Sequence, residues 1–527
     1  MLKNFKTILA AGVVSIAMLS PALSDGMLRI SNKEDPKSAD VQKTTDAYTV
    51  PLNIYDRLIE VATTGSGQSK LVPGLAESWD VSEDGKTYTF HLRKGVMFHN
   101  GEELKADDVV FTFDRMLDPK TMALGTEVLD FVQGAQDRLD GKADKVSGLE
   151  VVDDYTVKIT LKEPFAAFAS LMASPQVSIY NRKFTEPLGD QFGLSPETTN
   201  GTGPFKLTEY NLNDSLMLEA NKDYYRGAPK LDRVLVRIVS DSETLRLLFE
   251  ADELDVFDLD YAMTQMPYFF SSEKWKDQIR SGQQVGIYYY HINQKQKPFD
   301  DVRVRKAFQM GINRQELLDK NFYGKGALEN GIMPRGLACY APVKPIEYNP
   351  EKAKALLAEA GFPNGLDINL VQVSSWSSKW TDMNQVIQAQ LKNAGFNPQI
   401  KSIDESAFYS MRQGGTIDNY PQTWAADFND PDNFFSTFFS KNGTSVRGFN
   451  NNDPEVFAAI EKARTMTDVE ERCKLYQQLS EKIVHDDAAW VPLFSPEHSY
   501  VVQPRVKNFV VPWNGWSDMS YYEMEVE

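Results

Sequence analysis

"LVPGLAESWDVSEDGKTYTFHLRKGVMFHNGEELKADDVVFTFDRMLDP", Leu71 to Pro119, is the stretch on which the reading of the chain turns. Within it, "KTYTFHLRKG" alternates, with Tyr88, Phe90 and Leu92 on one face and Thr89, His91 and Arg93 on the other. That spacing predicts a half-buried strand closed by Gly95. The period then changes. In "ADDVVFTFDRML" the apolar residues Val109/Val110, Phe113 and Met116/Leu117 recur at helical spacing, which predicts an amphipathic helix. Further on, "VVDDYTVKITL" places an Asp153-Asp154 turn before Tyr155, Val157, Ile159 and Leu161, all on one face of a second strand. Short strands mixed with helices continue to the end of the chain, and no internal repeat interrupts them. The expected architecture is α/β or α+β.

The remaining helices announce themselves by their ends. "NPEKAKALLAEAGF" carries Asn349 as N-cap, Pro350 at the first helical position and Gly361 as terminator. "FDDVRVRKAFQMGIN" offers Asp300 as N-cap. "TDVEERCKLYQQLSEKIV" has Thr467 and Glu470 at capping-box spacing, with an apolar stripe of Val469, Cys473, Tyr476, Leu479 and Ile483.

The chain has 527 residues, 25% of them charged and 42% hydrophobic, a composition that excludes wholesale disorder and suits two to four domains. Its first residues carry Lys3 and Lys6, an apolar run from Thr7 to Leu19, then Pro21, with Ala22 and Ser24 before a cut at Asp25. This reads as a cleavable secretory signal peptide over residues 1–24. No Cys lies near the cut, so a free periplasmic protein is expected rather than a lipid-anchored one. Net charge is −18, and loss of the two signal-peptide lysines makes it two units more negative. That acidity disfavours nucleic acid or anionic membrane as a partner. Of the two cysteines, Cys473 falls on a helix stripe and reads as a buried packing thiol, with a disulfide to Cys339 left open.

The Leu71–Pro119 segment resembles the signature of family 5 extracellular solute-binding proteins, the peptide/nickel-type receptors of ABC importers. "GTGPFKLTEY" (Gly201–Tyr210), "ANKDYYRGAPKLDRVLVRIVSDSET" (Ala220–Thr244), "YYYHINQKQKPFDDVRVRKAF" (Tyr288–Phe308), "YNPEKAKALLAEAGF" and "TWAADFNDPDNFF" (Thr423–Phe435) follow in the family's order. The resemblance implies an α/β, two-lobe periplasmic binding protein fold with an extra domain inserted in lobe one. The expected boundaries are 25–62, 198–286 and 493–527 for the lobe-one sheet domain, 63–197 for the insertion and 287–492 for lobe two. The crossings near "IYYYHIN" and "VPLFSPE" would act as the hinge.

In peptide-binding members the aspartate at the position of Asp427 binds the ligand's α-ammonium group, and Trp424 would supply a flat apolar wall. Asp430 and Asp432 read instead as first-turn acids of a Pro-led helix. Arg412 matches an arginine that can pair with a ligand carboxylate, although Pro421 stands where oligopeptide-binding members have a second arginine. Tyr288 or Tyr290 at the first crossing and Phe494 at the second are candidate cleft residues. "KTTDAYTVPLN" corresponds to a segment that pairs with extended ligands, which makes Thr45, Asp46 and Tyr48 contact candidates. The expected ligand is a di- or oligopeptide, handed by a monomeric receptor to a permease in the inner membrane, with no metal and no cofactor. An oligosaccharide, an opine or a nickel chelate is the alternative within the family, and five tryptophans (Trp376, Trp380, Trp424, Trp513 and Trp516) keep the sugar open. A secreted hydrolase is the competing class. None of the five histidines (His91, His99, His291, His485 and His498) forms HExxH, and no GxSxG occurs, so no enzyme is expected.

Overall fold

The strand Thr87–Leu92 buries Tyr88, Phe90 and Leu92, as its alternation predicts. In this computed structural model, which describes residues 26–44, 48–63, 69–514 and 519–527, it lies in an antiparallel sheet of four. The order is Ala76–Val81, Thr87–Leu92, Thr156–Thr160, Leu149–Asp153. The helix Ala106–Leu117 covers this sheet with Val109, Phe113, Met116 and Leu117, and the strand and helix residues share one apolar core. The signal peptide expected over residues 1–24 lies outside the described residues.

A second four-stranded sheet carries the rest of lobe one. Met27–Asn32 pairs in parallel with Arg233–Ile238, followed antiparallel by Ser215–Ala220 and Phe205–Asn211. Lobe two contains a parallel pair, Leu366–Val373 and Phe396–Ile403, joined by the helix Ser378–Asn393. This is a βαβ unit, as the parallel connection requires.

Two strands connect the lobes, and they hydrogen-bond to each other. Ile279–Gln283 and Gly286–His291 run almost without interruption along the long strand Val491–Val502, from Ile279↔Val501 to Tyr290↔Val491. At one end the long strand gives Tyr500 and Val502 to the lobe-one core; at the other it gives Val491, Leu493 and Phe494 to the lobe-two core. The strand Gly286–His291 is also flanked by Tyr420–Ala425, so it is central and buried on both faces.

Several helix ends differ from expectation by one residue. Asn349 caps Pro350–Glu359 by accepting the Lys352 N–H, as predicted, and Gly361 follows at φ +100°. Asp301, not Asp300, caps Val302–Gly311, and Asp468, not Thr467, caps Val469–Glu481. In each case the true cap has extended backbone angles, so its carboxylate can turn onto the first-turn amides. Val469 is exposed rather than part of the stripe, because the helix begins there. Cys473 is not a packing thiol: it forms a disulfide with Cys339, their Cα atoms 4.9 Å apart. No helix among the described residues is long and apolar enough to cross a membrane.

Candidate functional site

The strand Tyr420–Ala425 delivers the "TWAADFNDPDNFF" loop to the space between the lobes. The helix Asp432–Phe439 that follows buries Phe434, Phe435, Phe438 and Phe439 completely. That packing fixes the position of Asn433, and Asn433 organises the loop. Its Nδ2 donates to Asp427 Oδ2 at 2.9 Å, while its Oδ1 accepts the Asp427 N–H and the Trp424 indole N–H, each at 3.1 Å. One buried amide therefore sets the orientation of both the carboxylate and the ring.

The other two aspartates of the loop are structural. Asp430 accepts both Arg472 Nη atoms at 2.7 Å and the Asp432 N–H at 2.8 Å. Asp432 pairs with Arg464 at 3.1 Å and accepts the Ser436 hydroxyl. Burial raises its carboxyl above the usual range, against the pull of Arg464. Pro431 stands at the N-cap rather than at the first helical position. Arg464 reaches further: its guanidinium lies 4.7 Å from the Phe131 ring centre and 5.4 Å from that of Phe165, both in the inserted domain. The Ala166 N–H there donates to the Arg464 carbonyl at 3.0 Å.

A cleft of about 330 Å³ opens beside the loop, lined by Asp427, Phe428 and Asn429 from lobe two, by Arg57 and Tyr224 from the opposite side, and by Trp513, which packs on the lobe-two core. Asn429 Nδ2 donates across to Ser69 Oγ on the hairpin Ile59–Thr63/Ser69–Pro73. In the cleft lining Asp56 accepts the Tyr224 and Thr202 hydroxyls, both at 2.8 Å. Burial, and then the nearby Glu60 charge, pushes its carboxyl above its ordinary value. Arg57 is held on both sides of its peptide: its N–H donates to Glu60 Oε1 at 2.8 Å and its carbonyl accepts the Leu75 N–H at 2.8 Å. Its Nη2 also pairs with Glu60 Oε2.

The other sequence candidates do not line this cleft. Tyr288 stacks between Trp380 and Phe494 in the lobe-two core, its hydroxyl accepting from Lys379 Nζ at 2.9 Å. Tyr290 and Phe494 are fully buried there, and Tyr290 donates to Asn384 Oδ1 at 3.0 Å. Arg412 packs against the rings of Phe408 and Tyr409 on its own helix. Tyr48 is buried, donating to the Thr44 carbonyl and accepting from Gln176. Thr45 and Asp46 lie outside the described residues, as does Trp516. Trp424 is half-buried, with the Arg447 guanidinium 4.5 Å over its ring. His291 is enclosed by Tyr420 and Phe449, and burial lowers its pKa to about 3.

The hinge carries its own charge cluster. His498, on the long crossing strand, faces Asp258 at 3.0 Å and Asp260 at 3.4 Å, and Gln284 contacts its other nitrogen. Burial pulls the imidazole down, but the charges of Asp260 and Asp258 outweigh it and raise the ring to about 9. His498 therefore holds its proton at neutral pH. A protonated ring has no lone pair for a metal, so this trio is an ion cluster rather than a ligand set.

Residues 70–446 match the sequence profile described as bacterial extracellular solute-binding proteins, family 5. Heme-binding protein A of Haemophilus influenzae is 30% identical over 505 residues, covering 90% of this chain and 87% of the relative. The dipeptide-binding protein of Escherichia coli is 31% identical over 497 residues, covering 89% and 88%. Among solved structures, the ABC transporter-associated periplasmic binding protein DppA from Helicobacter pylori, in complex with the peptide STSA, superposes with a TM-score of 0.74. It is 28% identical, covering 95% of this chain and 98% of that one. With the two lobes, the inserted sheet and the cleft between them, these matches place the chain in the bacterial extracellular solute-binding proteins, family 5.

Proposed function

We propose that the chain is the peptide-binding receptor of an ABC importer, exported by a signal peptide cleaved after Ser24 and free in the periplasm. The observation that carries the reading is Asp427, a carboxylate oriented by a buried amide and presented to an interlobe cleft. Such a group offers a charge-assisted hydrogen bond to a ligand ammonium and offsets its desolvation. Small-ligand pockets run from about 300 to 1,000 Å³, and this cleft stands at the lower end, which suits a peptide of two or three residues. The ligand is bound and released unchanged. The boundaries of the two lobes and the insertion set out from the sequence belong to the same proposal.

Native mass spectrometry of the protein purified from a rich medium, followed by denaturation and identification of what is released, tests the reading. Short peptides are expected, and Asp427→Ala is expected to release none. Released sugar or metal chelate would overturn the peptide assignment. An intact mass that retains residues 1–24 in the periplasmic fraction would overturn the cleavage.

A further inference from the structure

Beside Asp427 the cleft wall turns apolar. Phe428, the next residue of the loop, lines the cavity together with Val61 and Leu71 of the hairpin Ile59–Thr63/Ser69–Pro73. Val61 and Leu71 are cross-strand partners, and Leu71 shares a strand face with Ser69, two residues away. Asn429 Nδ2 reaches Ser69 Oγ across the gap, so the face that carries Leu71 and Val61 is the one turned to the loop. Each of the three apolar side chains rests by one side on the core of the inserted domain and keeps part of its surface exposed in the cavity lining. The charges of the opposite wall are engaged elsewhere. Arg57 pairs with Glu60, Arg226 donates to the Pro73 carbonyl at 2.7 Å, and Asp56 takes the Tyr224 and Thr202 hydroxyls.

From this arrangement we infer that Val61, Leu71 and Phe428 form a side-chain subsite that selects peptides with an apolar first residue. The inference rests on the reading of the cleft as a peptide site with Asp427 at the ammonium. In such a ligand the first side chain branches from the carbon that bears the ammonium, so it lands among the neighbours of Asp427. Phe428 is the nearest of these along the chain, and the hairpin residues face it. Phe428 belongs to lobe two and the hairpin to lobe one, so only the closed molecule completes the subsite. A leucine-sized side chain placed there is covered from both lobes at once, and its burial rewards closure. A hydroxyl or a charged side chain loses its hydration against the same walls without a hydrogen bond in return. The three residues are thereby specificity-determining: Asp427 reads the end of the peptide, and they read its first side chain.

Calorimetric titration of the unloaded protein with Leu-Gly, Ser-Gly, Gly-Leu and Gly-Ser tests the assignment. The wild type is expected to bind Leu-Gly about 10- to 100-fold more tightly than Ser-Gly, the scale of burying one leucine side chain. Gly-Leu and Gly-Ser are expected to differ by no more than about threefold, since the subsite takes the first residue only. In Val61→Thr combined with Leu71→Thr, which keeps strand-forming residues in the hairpin, the Leu-Gly to Ser-Gly ratio falls to about 3 or less. A ratio that stays at the wild-type level overturns the subsite and leaves the peptide receptor standing. A wild type that binds Leu-Gly and Ser-Gly alike, or Gly-Leu better than Leu-Gly, overturns it in the same way. If the wild type binds none of the four peptides, the receptor reading falls and the subsite falls with it. Should the double variant not fold, Phe428→Ser probes the wall from the loop. There the Leu-Gly to Ser-Gly ratio is expected to drop about fivefold, and an unchanged ratio overturns the proposal. Because the two peptides are compared within one variant, a loss of stability alone leaves the ratio unmoved.

Discussion

Arg472 grips both oxygens of Asp430 at 2.7 Å, with fewer than one-tenth of either side chain exposed. The guanidinium also donates to the Ala463 carbonyl at 2.8 Å, tying the helix Val469–Glu481 to the loop and to the helix before it. Truncating one member of such a pair strands the other charge. Arg472→Ala is therefore expected to destabilise the protein by about 3–5 kcal/mol in denaturant titration. The double variant Arg472→Met/Asp430→Asn is expected to recover most of that loss. If the single variant costs less than about 1 kcal/mol, the pair contributes as little as a surface one.

Asn433 does not line the cleft but orients Asp427 and Trp424 together. Asn433→Ala is expected to weaken peptide binding about tenfold or more, through a carboxylate that is present but misdirected. Asn433→Asp reverses the contact to Asp427 into repulsion and should weaken binding further. Calorimetry on folded variants checks both, with unfolding curves run in parallel.

The disulfide closes a loop across 134 residues of chain, from Cys339 to the helix that begins at Val469. Loops of this size carry a chain-entropy stabilisation of about 4–5 kcal/mol, of which natural bridges commonly realise 2–4. Cys339→Ser/Cys473→Ser, or reduction of the wild type, should lower the unfolding free energy by about 3 kcal/mol. Periplasmic protein should show no thiol titratable by a chromogenic disulfide reagent under denaturing conditions. Two free thiols would mean that the bridge does not form in the cell.

The hinge cluster makes stability depend on pH in a stated direction. The folded value of His498, about 9, lies above the unfolded value near 6.5, so its contribution is complete below about pH 6.5 and is lost as pH rises through 9. The full effect is on the order of 3 kcal/mol. Burial pushes Glu329 up to about 7, and that group also favours the folded state towards acid. The experiment is therefore a comparison of wild type with His498→Gln. The gap between them should be largest at pH 6 and nearly closed at pH 10. A gap that does not change with pH would show that His498 is neutral in the folded protein.

Much of the local structure was legible in the sequence because it is set by neighbours along the chain. The alternation of Tyr88, Phe90 and Leu92, the helical spacing of Val109, Phe113 and Met116, and the Asn349-Pro350 cap all depend on near residues. Adjacent acids and hydroxyls blurred the caps at Asp301 and Asp468, since either of two neighbours could turn onto the helix end. The three tyrosines at the hinge were harder. Alternation suggested that one of them faces the cleft, but the strand is central and has a core on each face, with Tyr288 and Tyr290 in one and Tyr289 in the other. The signal was present in the continuous apolar run, which marks a strand buried on both sides. Asp427 was readable from its loop as a cleft candidate, whereas the other residues of the cleft lining were not. Arg57, Phe428 and Trp513 meet only through tertiary folding, and Asn433 looks like any helix-start amide until Phe434 and Phe435 bury its neighbours.

The paired crossing strands also govern how the molecule can move. A joint built from two separate linkers can swivel, slide and shear. Two strands laced to each other by backbone hydrogen bonds behave as a flexure, a thin ribbon that twists and bends but does not slip. Opening then needs no bond in the ribbon to break, and each lobe can travel as a rigid plate. Such a joint stores little energy of its own, so the balance between open and shut is left to what lies in the gap.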